Sequence, residues 1–385
     1  MIITEQFGAE LKKLNFSFYS GVPCSYLKNL INYAINDCNY IAAANEGDAI
    51  AIASGACLGG RRSVVLMQNS GLANAVSPLV SLNYPFHIPL LGLVSLRGEP
   101  GVPDEPQHEL MGCITTQLLE LMDIEWQYLS PDIDQAKEQL QQAVQVLDQN
   151  RSFFFVVKKN TFSKVQLHKH EFTTNRNLFK TKKEKGDQLP SRLEALSVIN
   201  ASKDKTTVQI ATTGKTGREL YEIGDSNSNL YLVGSMGCVS SLGLGMALTQ
   251  QKHDIIVIDG DGSLLMRMGS LATNGFYGTP NMLHILLDNN AHDSTGGQRT
   301  VSNHVDFVDI AAACGYGNSL YLHGLNELDH HILDWKRTKG LTFLYIKIAQ
   351  GSKETLGRPH IKPHEVTARL KKYLGCYPRL LMKGE

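Results

Sequence analysis

The chain has 385 residues, too many for one domain of ordinary size, and 42% of them are hydrophobic, enough for two buried cores. Lysine plus arginine number 37 and aspartate plus glutamate 37, so no overall field draws the chain to nucleic acid or to an anionic membrane, and any anion site must be built locally. The amino terminus MIITEQFGAELKKLNF lacks a basic stretch followed by an apolar run, no segment is apolar enough to span a bilayer, and the seven cysteines have neither paired nor metal-like spacing; the expectation is a cytoplasmic chain without a disulfide framework, zinc or a membrane partner.

Short β-rich runs alternate with helical patterns, which predicts an α/β fold of mainly parallel sheets flanked by helices. In the first half the runs are FSFYSG, YIAAAN, SVVLMQNSG, IPLLGLVSL and SFFFVVKKN. The first leads into GVPCSYL, with Cys24 and Ser25 in the turn. The second leads through Glu46 into DAIAIASGACLGG, a small-residue helix suited to close packing; on residue type alone Glu46 is a helix-start acid favoured by the helix dipole. From 163 to 190 the sequence turns polar and basic with almost no aliphatic residues. It is read as a solvated linker between a first domain at 1–162 and a second at 191–385, and its KTKKEK run is no argument for nucleic acid in a neutral chain.

The second half repeats the alternation with TTVQIATTGKTGREL, LYLVGSMGCVSSLGLGMAL, DIIVIDGDGSLL, MLHILLDNN and LTFLYIKI. The first four pass from strand-like residues into Gly, Ser, Thr, Asp or Asn, and ligands collect at the carboxyl ends of strands in open parallel sheets. In Gly260-Asp261-Gly262 the glycines permit a sharp turn and close approach to a ligand, Asp261 offers magnesium a hard oxygen, and Ser263 adds a phosphate donor. LLDNNAHDSTGG places Asp288, Asn289 and Asn290 after a second buried strand, which as a neighbour would bring its tip beside Asp261. One carboxylate, one amide oxygen and one backbone carbonyl suit a magnesium ion shared with substrate phosphates.

GDG followed downstream by an asparagine pair resembles the signature of the thiamine diphosphate enzymes. The resemblance implies thiamine diphosphate and Mg2+ as cofactors, with Asp261, Asn289 and the Ala291 carbonyl as metal ligands and Asn290 as the alternative to Asn289. It further implies that Thr212, Thr213 and Gly214 hold diphosphate at a strand-to-helix turn with Gly260, Gly262 and Ser263. Gly234 and Ser235 would meet the aminopyrimidine, Met236 would wedge the cofactor into its bent form, and Glu46 would activate the pyrimidine so that the thiazolium becomes the nucleophile. The implied architecture is two thiamine diphosphate-binding-fold domains with no middle domain, self-associating as a dimer or tetramer with active sites between subunits.

That compactness, with GVPCSYL, ANEGDAIAIASGA, LRGEPGVPDEPQHELMG and LLDNNAHDSTGGQ, resembles the phosphonopyruvate decarboxylase family and is similar to the sulfopyruvate decarboxylases. The resemblance implies a small anionic 2-oxo acid substrate, non-oxidative loss of CO2 from 3-phosphonopyruvate, and a place in phosphonate biosynthesis. Alternatives are sulfopyruvate or another 2-oxo acid as substrate, or a non-catalytic cofactor-binding regulator. Substrate candidates are Ser25, Arg97, His292, Ser294 and Thr295, with Gly296, Gly297 and Arg299 nearby. His108 is either a proton relay or a surface-loop histidine. Lys215 is open to diphosphate or substrate, and Arg267 to an acid on its own helix.

Overall fold

Six strands build the first sheet: β1 Phe16–Gly21, β2 Asn39–Ala42, β3 Arg62–Gln68, β4 Leu91–Ser95, β5 Glu125–Tyr128 and β6 Phe153–Val157. Their order is β2-β1-β3-β4-β6-β5, all parallel. The interior strands are near-continuous apolar runs because helices cover both faces, and every residue of β4 and β6 is buried. Leu66, Leu93 and Phe155 lie fully inside this core, each contributing about 1.5–3 kcal/mol relative to exposure.

The second half supplies β7 Phe179–Lys180, β8 Thr207–Ala211, β9 Asn229–Tyr231, β10 Asp254–Gly260 and β11 Met282–Asp288. It continues with a small antiparallel hairpin, β12 Ala291–His292 and β13 Gln298–Arg299, then β14 Asn318–Leu322 and β15 Thr342–Lys347. The second sheet is ordered β7-β14-β15-β11-β10-β8-β9. From β8 the chain goes outward to β9 and then returns to the other side as β10, so the order reverses between β8 and β10, where such sheets open a crevice for ligands. β10 pairs with β11 in register, Gly260 opposite Leu287, which sets the GDG turn and the asparagine turn side by side.

The structure, a computed structural model, describes residues 1–168, 175–181 and 189–376. Two compact units divide the chain, Met1–Cys57 with Arg61–Thr173, and Thr174–Glu385 with Leu58–Gly60. The stretch 163–190 contains the boundary between the units, and its described residues are exposed or half-buried in most places, with local hydrogen bonds to each unit. Asn29, Asn32 and Asn36, on one face of the helix Lys28–Asp37, donate to the carbonyls of Phe162, Val165 and Gln166 at 3.1, 2.8 and 2.9 Å. Further on, Phe179 and Lys180 add an edge strand beside β14. The KTKKEK run lies at Lys180 and Thr181 and otherwise outside the described residues. Among the described residues no helix is long and apolar enough to cross a membrane.

Candidate functional site

The carboxyl ends of β8, β10 and β11 surround a cleft of about 270 Å³ in the second unit. Thr212 to Thr216 form one part of its lining, Gly260 to Ser263 another, and Asn289 with Ala291 to Thr295 a third; Met236, Leu287 and Arg192 complete it. Gly214 has φ +93° at the start of the helix Lys215–Gly224, a conformation that suits glycine, and a Cβ there would stand 2.6 Å from Ser294 Oγ. This turn presents the free amides of a helix start to the cleft. The Thr212 hydroxyl donates to Ser263 Oγ at 2.9 Å, and the Gly237 amide donates to the same oxygen at 3.1 Å. Three of the sequence-implied cofactor segments are thereby tied together.

Asp261 is 2% exposed and accepts from the Thr300 and Ser302 hydroxyls at 2.5 and 2.9 Å. Burial pushes its carboxyl above the ordinary value, and the nearby Asp288 charge adds to the rise against the Thr300 hydrogen bond. Asn289 and Ala291 line the cleft with it. Asn290 turns away in the left-handed region at φ +54°, its amide engaged by Ser302 and Lys347. Asp288 is fully buried, accepting from Ser302 Oγ at 3.1 Å, Asn290 N at 2.8 Å, Tyr345 Oη at 2.6 Å and Lys347 Nζ at 3.1 Å.

The cleft fits a magnesium diphosphate group. Its donor set is of hard oxygens, one carboxylate, one amide and one carbonyl, beside a glycine turn that a Cβ would narrow. Among the described residues no group of three or more His, Cys, Asp and Glu is arranged to hold a metal.

Of the other second-unit candidates, His292 lies over Gly262, whose added Cβ would be 2.6 Å from its Cε1 and 3.2 Å from the Met236 Cε. Ser294 and Thr295 are exposed at the cleft, and the Thr295 hydroxyl donates to Gln298 Oε1 at 2.8 Å. Ser235 is buried with φ +52°, and Gly234 is half-buried; neither lines the cleft as Met236 does. Arg267 packs its Cγ beside Gly237, and Arg299 is exposed on β13.

In the first unit the candidates gather at the carboxyl edge of the sheet. Glu46 begins the helix Glu46–Leu58, half-buried, with Asn74 Nδ2 donating to its Oε2 at 2.9 Å and Gly71 packed directly against its carboxylate. Cys24 is buried with Sγ 2.9 Å from Ser95 Oγ. Arg97 is not a free cation: its Nε donates to Asp104 Oδ2 at 2.7 Å, its Nη2 to Oδ1, and its Nη1 to Ser25 Oγ at 2.9 Å. Asp104 also accepts from the Gly98 and Glu105 amides and the Tyr26 hydroxyl, and the Arg97 guanidinium holds its carboxyl well below the usual range. His108 is buried at 7% exposure, which corrects the surface-loop alternative, and its Nδ1 has no hydrogen-bond partner among the described residues.

Asn74, Asp104, Arg192, Asp293 and Thr300 escaped the sequence reading. Asp293 and Asp104 had a signal, their places inside NNAHDSTGG and LRGEPGVPDEPQHELMG, and Asp104 is only seven positions from Arg97; the others act across long separations that no local pattern records.

Residues 1–118 match the N-terminal TPP binding domain of thiamine pyrophosphate enzymes, and residues 213–346 match the C-terminal one. The chain is 38% identical over 378 residues to phosphonopyruvate decarboxylase of Streptomyces hygroscopicus, covering 97% of this chain and 94% of that one. It is 28% identical over 376 residues to sulfopyruvate decarboxylase of Methanosarcina acetivorans, covering 94% and 95%. The crystal structure of benzoylformate decarboxylase from Polynucleobacter necessarius superposes with a TM-score of 0.73 at 13% identity, over 91% of this chain and 99% of that one, which establishes the shared fold. The chain belongs to the thiamine pyrophosphate enzymes, and among them to the phosphonopyruvate decarboxylase family.

Proposed function

We propose that the chain decarboxylates 3-phosphonopyruvate to phosphonoacetaldehyde and CO2. What supports this reading above all is 38% identity to a phosphonopyruvate decarboxylase across 97% of the chain, on a scaffold whose diphosphate-sized cleft gathers Asp261, Asn289 and Ala291. Mg2+ would be held by those three residues, and diphosphate by Thr212, Thr213, Gly214, Gly260, Gly262 and Ser263. Gly234 and Ser235 would meet the aminopyrimidine, and Met236 would pack against the cofactor. Thiamine diphosphate supplies the electron sink for the carboxylate's bonding pair.

The chain's own residues then bind, orient and move protons. Glu46, steadied by Asn74 over Gly71, would hold a proton at its carboxylate beside the aminopyrimidine. His108, buried and with its Nδ1 unpartnered among the described residues, is the proton donor of this proposal. Ser25, His292, Ser294 and Thr295 are the substrate-binding candidates; Arg97 acts through the hydroxyl of Ser25, because Asp104 already takes two of its nitrogens. The family resemblance also carries the proposal that the active species is a homo-oligomer, dimer or tetramer, with active sites between subunits.

Sulfopyruvate is the second reading, favoured by the full-length similarity to a sulfopyruvate decarboxylase. CO2 and aldehyde release from phosphonopyruvate, sulfopyruvate and pyruvate, each with magnesium and thiamine diphosphate, separates them. Preference for phosphonopyruvate supports the proposal. Preference for sulfopyruvate moves the substrate, and turnover of none in a protein that binds the cofactor favours a regulator.

A further inference from the structure

Arg192 is 5% exposed, lines the second unit's cleft, and belongs to no motif. Its Nη1 reaches Glu219 Oε1 at 3.4 Å, in the helix whose first turn carries Gly214 and Lys215. Its Nη2 reaches Asp293 Oδ2 at 2.5 Å, in the turn after β12. The same Asp293 oxygen accepts from Asn289 Nδ2 at 2.7 Å and from the Gly351 amide at 3.1 Å. At the other end of the Asn289 amide, Oδ1 accepts from Ala291 N at 3.2 Å.

An asparagine amide is nearly symmetric in shape and opposite in charge at its two ends. Turned by half a rotation, Asn289 would offer a cation two N–H donors in place of an oxygen. The carboxylate of Asp293 accepts only from the nitrogen end, and the Ala291 amide donates only to the oxygen end, so the two together fix one orientation. Asp293 is itself a charge in a sheltered place, and it is kept there by Arg192, which bridges it to Glu219, 1% exposed. Removing the guanidinium would leave two sheltered carboxylates without their shared counter-charge.

We propose that Asp293 and Arg192 are positioning residues for divalent-metal binding: Asp293 selects the oxygen-presenting orientation of Asn289, and Arg192 locks Asp293 to the helix that forms another wall of the cleft. This rests on the reading of the cleft as a magnesium diphosphate site. Its consequence is that the metal loop and the diphosphate turn are coupled through one side chain that precedes both in the sequence.

The test is calorimetric titration of thiamine diphosphate into the full-length protein across a magnesium series, for the wild type, Asp293→Ala, Asp293→Asn and Arg192→Lys. Asp293→Ala is expected to raise the magnesium concentration for half-maximal cofactor binding by about 10–100-fold, the usual effect of losing a residue that orients a metal ligand. Cofactor affinity should return to within a few-fold of wild type at saturating magnesium. Asp293→Asn and Arg192→Lys should shift the magnesium midpoint in the same direction by less, and they carry the comparison if Asp293→Ala does not fold. An unchanged midpoint overturns the proposal, as does a loss of cofactor affinity that is equal at every magnesium concentration, which marks a merely structural role. Wild-type protein that binds no cofactor with magnesium overturns the reading of the cleft, and the inference falls with it.

Discussion

Glu46 shows how much of a residue's role lies in its neighbours. A glutamate at a helix start is commonplace; this one has its carboxylate held by Asn74 and packed on Gly71, where any side chain would collide with it. Glu46→Gln keeps the size and the Asn74 contact, so cofactor affinity measured by calorimetry should stay within a few-fold of wild type. Exchange of the cofactor's C2 proton, followed by NMR, should slow by about 10²-fold or more, the scale of a lost general acid–base group. Unchanged exchange would remove Glu46 from its role. Asp104 makes a separate prediction about acid. Its carboxyl is held below the usual range, first by the Arg97 hydrogen bonds and also by the Gly98 and Glu105 amides. A depressed folded-state value gives stability that is fully present above the unfolded value, about 3.9, and is lost as pH falls from there through the folded value. The melting temperature of Asp104→Asn should therefore lie below wild type by a constant margin from neutrality to about pH 5, and the margin should close below about pH 4.

Among elements, the long buried strands were the legible ones. β10 and β11 are buried along almost their whole length, with the apolar runs Ile255–Ile258 and Ile285–Leu287, because both sheet faces are covered, and each ends in a polar turn. β5, β7 and β14 were not anticipated. β5 has no buried residue and β7 is an exposed two-residue pairing, so neither carries the hydrophobic signal that a sequence pattern needs; β14 opens on a half-buried asparagine and a buried serine. The turn between β8 and the helix Lys215–Gly224 was read correctly as a strand-to-helix junction, and the structure adds its constraint, Gly214 at φ +93°. Gly214→Ala should destabilise the protein by about 1–3 kcal/mol in denaturant unfolding through backbone strain, and the new methyl should also press on Ser294 at the cleft. Wild-type stability in that variant would show that the turn relaxes without cost.

At the scale of the whole molecule, each unit has a core of its own: Phe16, Tyr19, Leu66 and Phe155 belong to the first, and Ile256, Ile258, Ile285 and Leu344 to the second. Two parallel sheets were readable from the alternation of runs, and so was the pairing of β10 with β11 that sets the GDG turn beside the asparagine turn. The hydrogen bonds that Asn29, Asn32 and Asn36 make to the backbone at 162–166 were not, because such side chains look like solvent-facing polarity in a sequence. The lining of the cleft lies wholly in the second unit, so magnesium and thiamine diphosphate should raise the melting temperature by mass action, equivalent to about 2.7 kcal/mol at a hundredfold excess over the dissociation constant. A chelator should reverse the gain, and a melting temperature indifferent to both would argue against the cleft as their site.

Asp288 and Lys347 leave a mark on the routes by which this sequence can change over generations. The aspartate is fully buried and meets the ammonium at 3.1 Å, while the same lysine holds Asn290 in its left-handed turn. Exchanging the aspartate alone for asparagine sets an ammonium against an amide, and exchanging the lysine alone for methionine leaves a buried carboxylate without its cation. In a double-mutant cycle Asp288→Asn with Lys347→Met should cost less stability than the sum of the two single changes. Descendants of this chain are accordingly expected to keep the two residues together or to lose them together, so the acid at the head of the asparagine pair is inherited with a lysine 59 positions away.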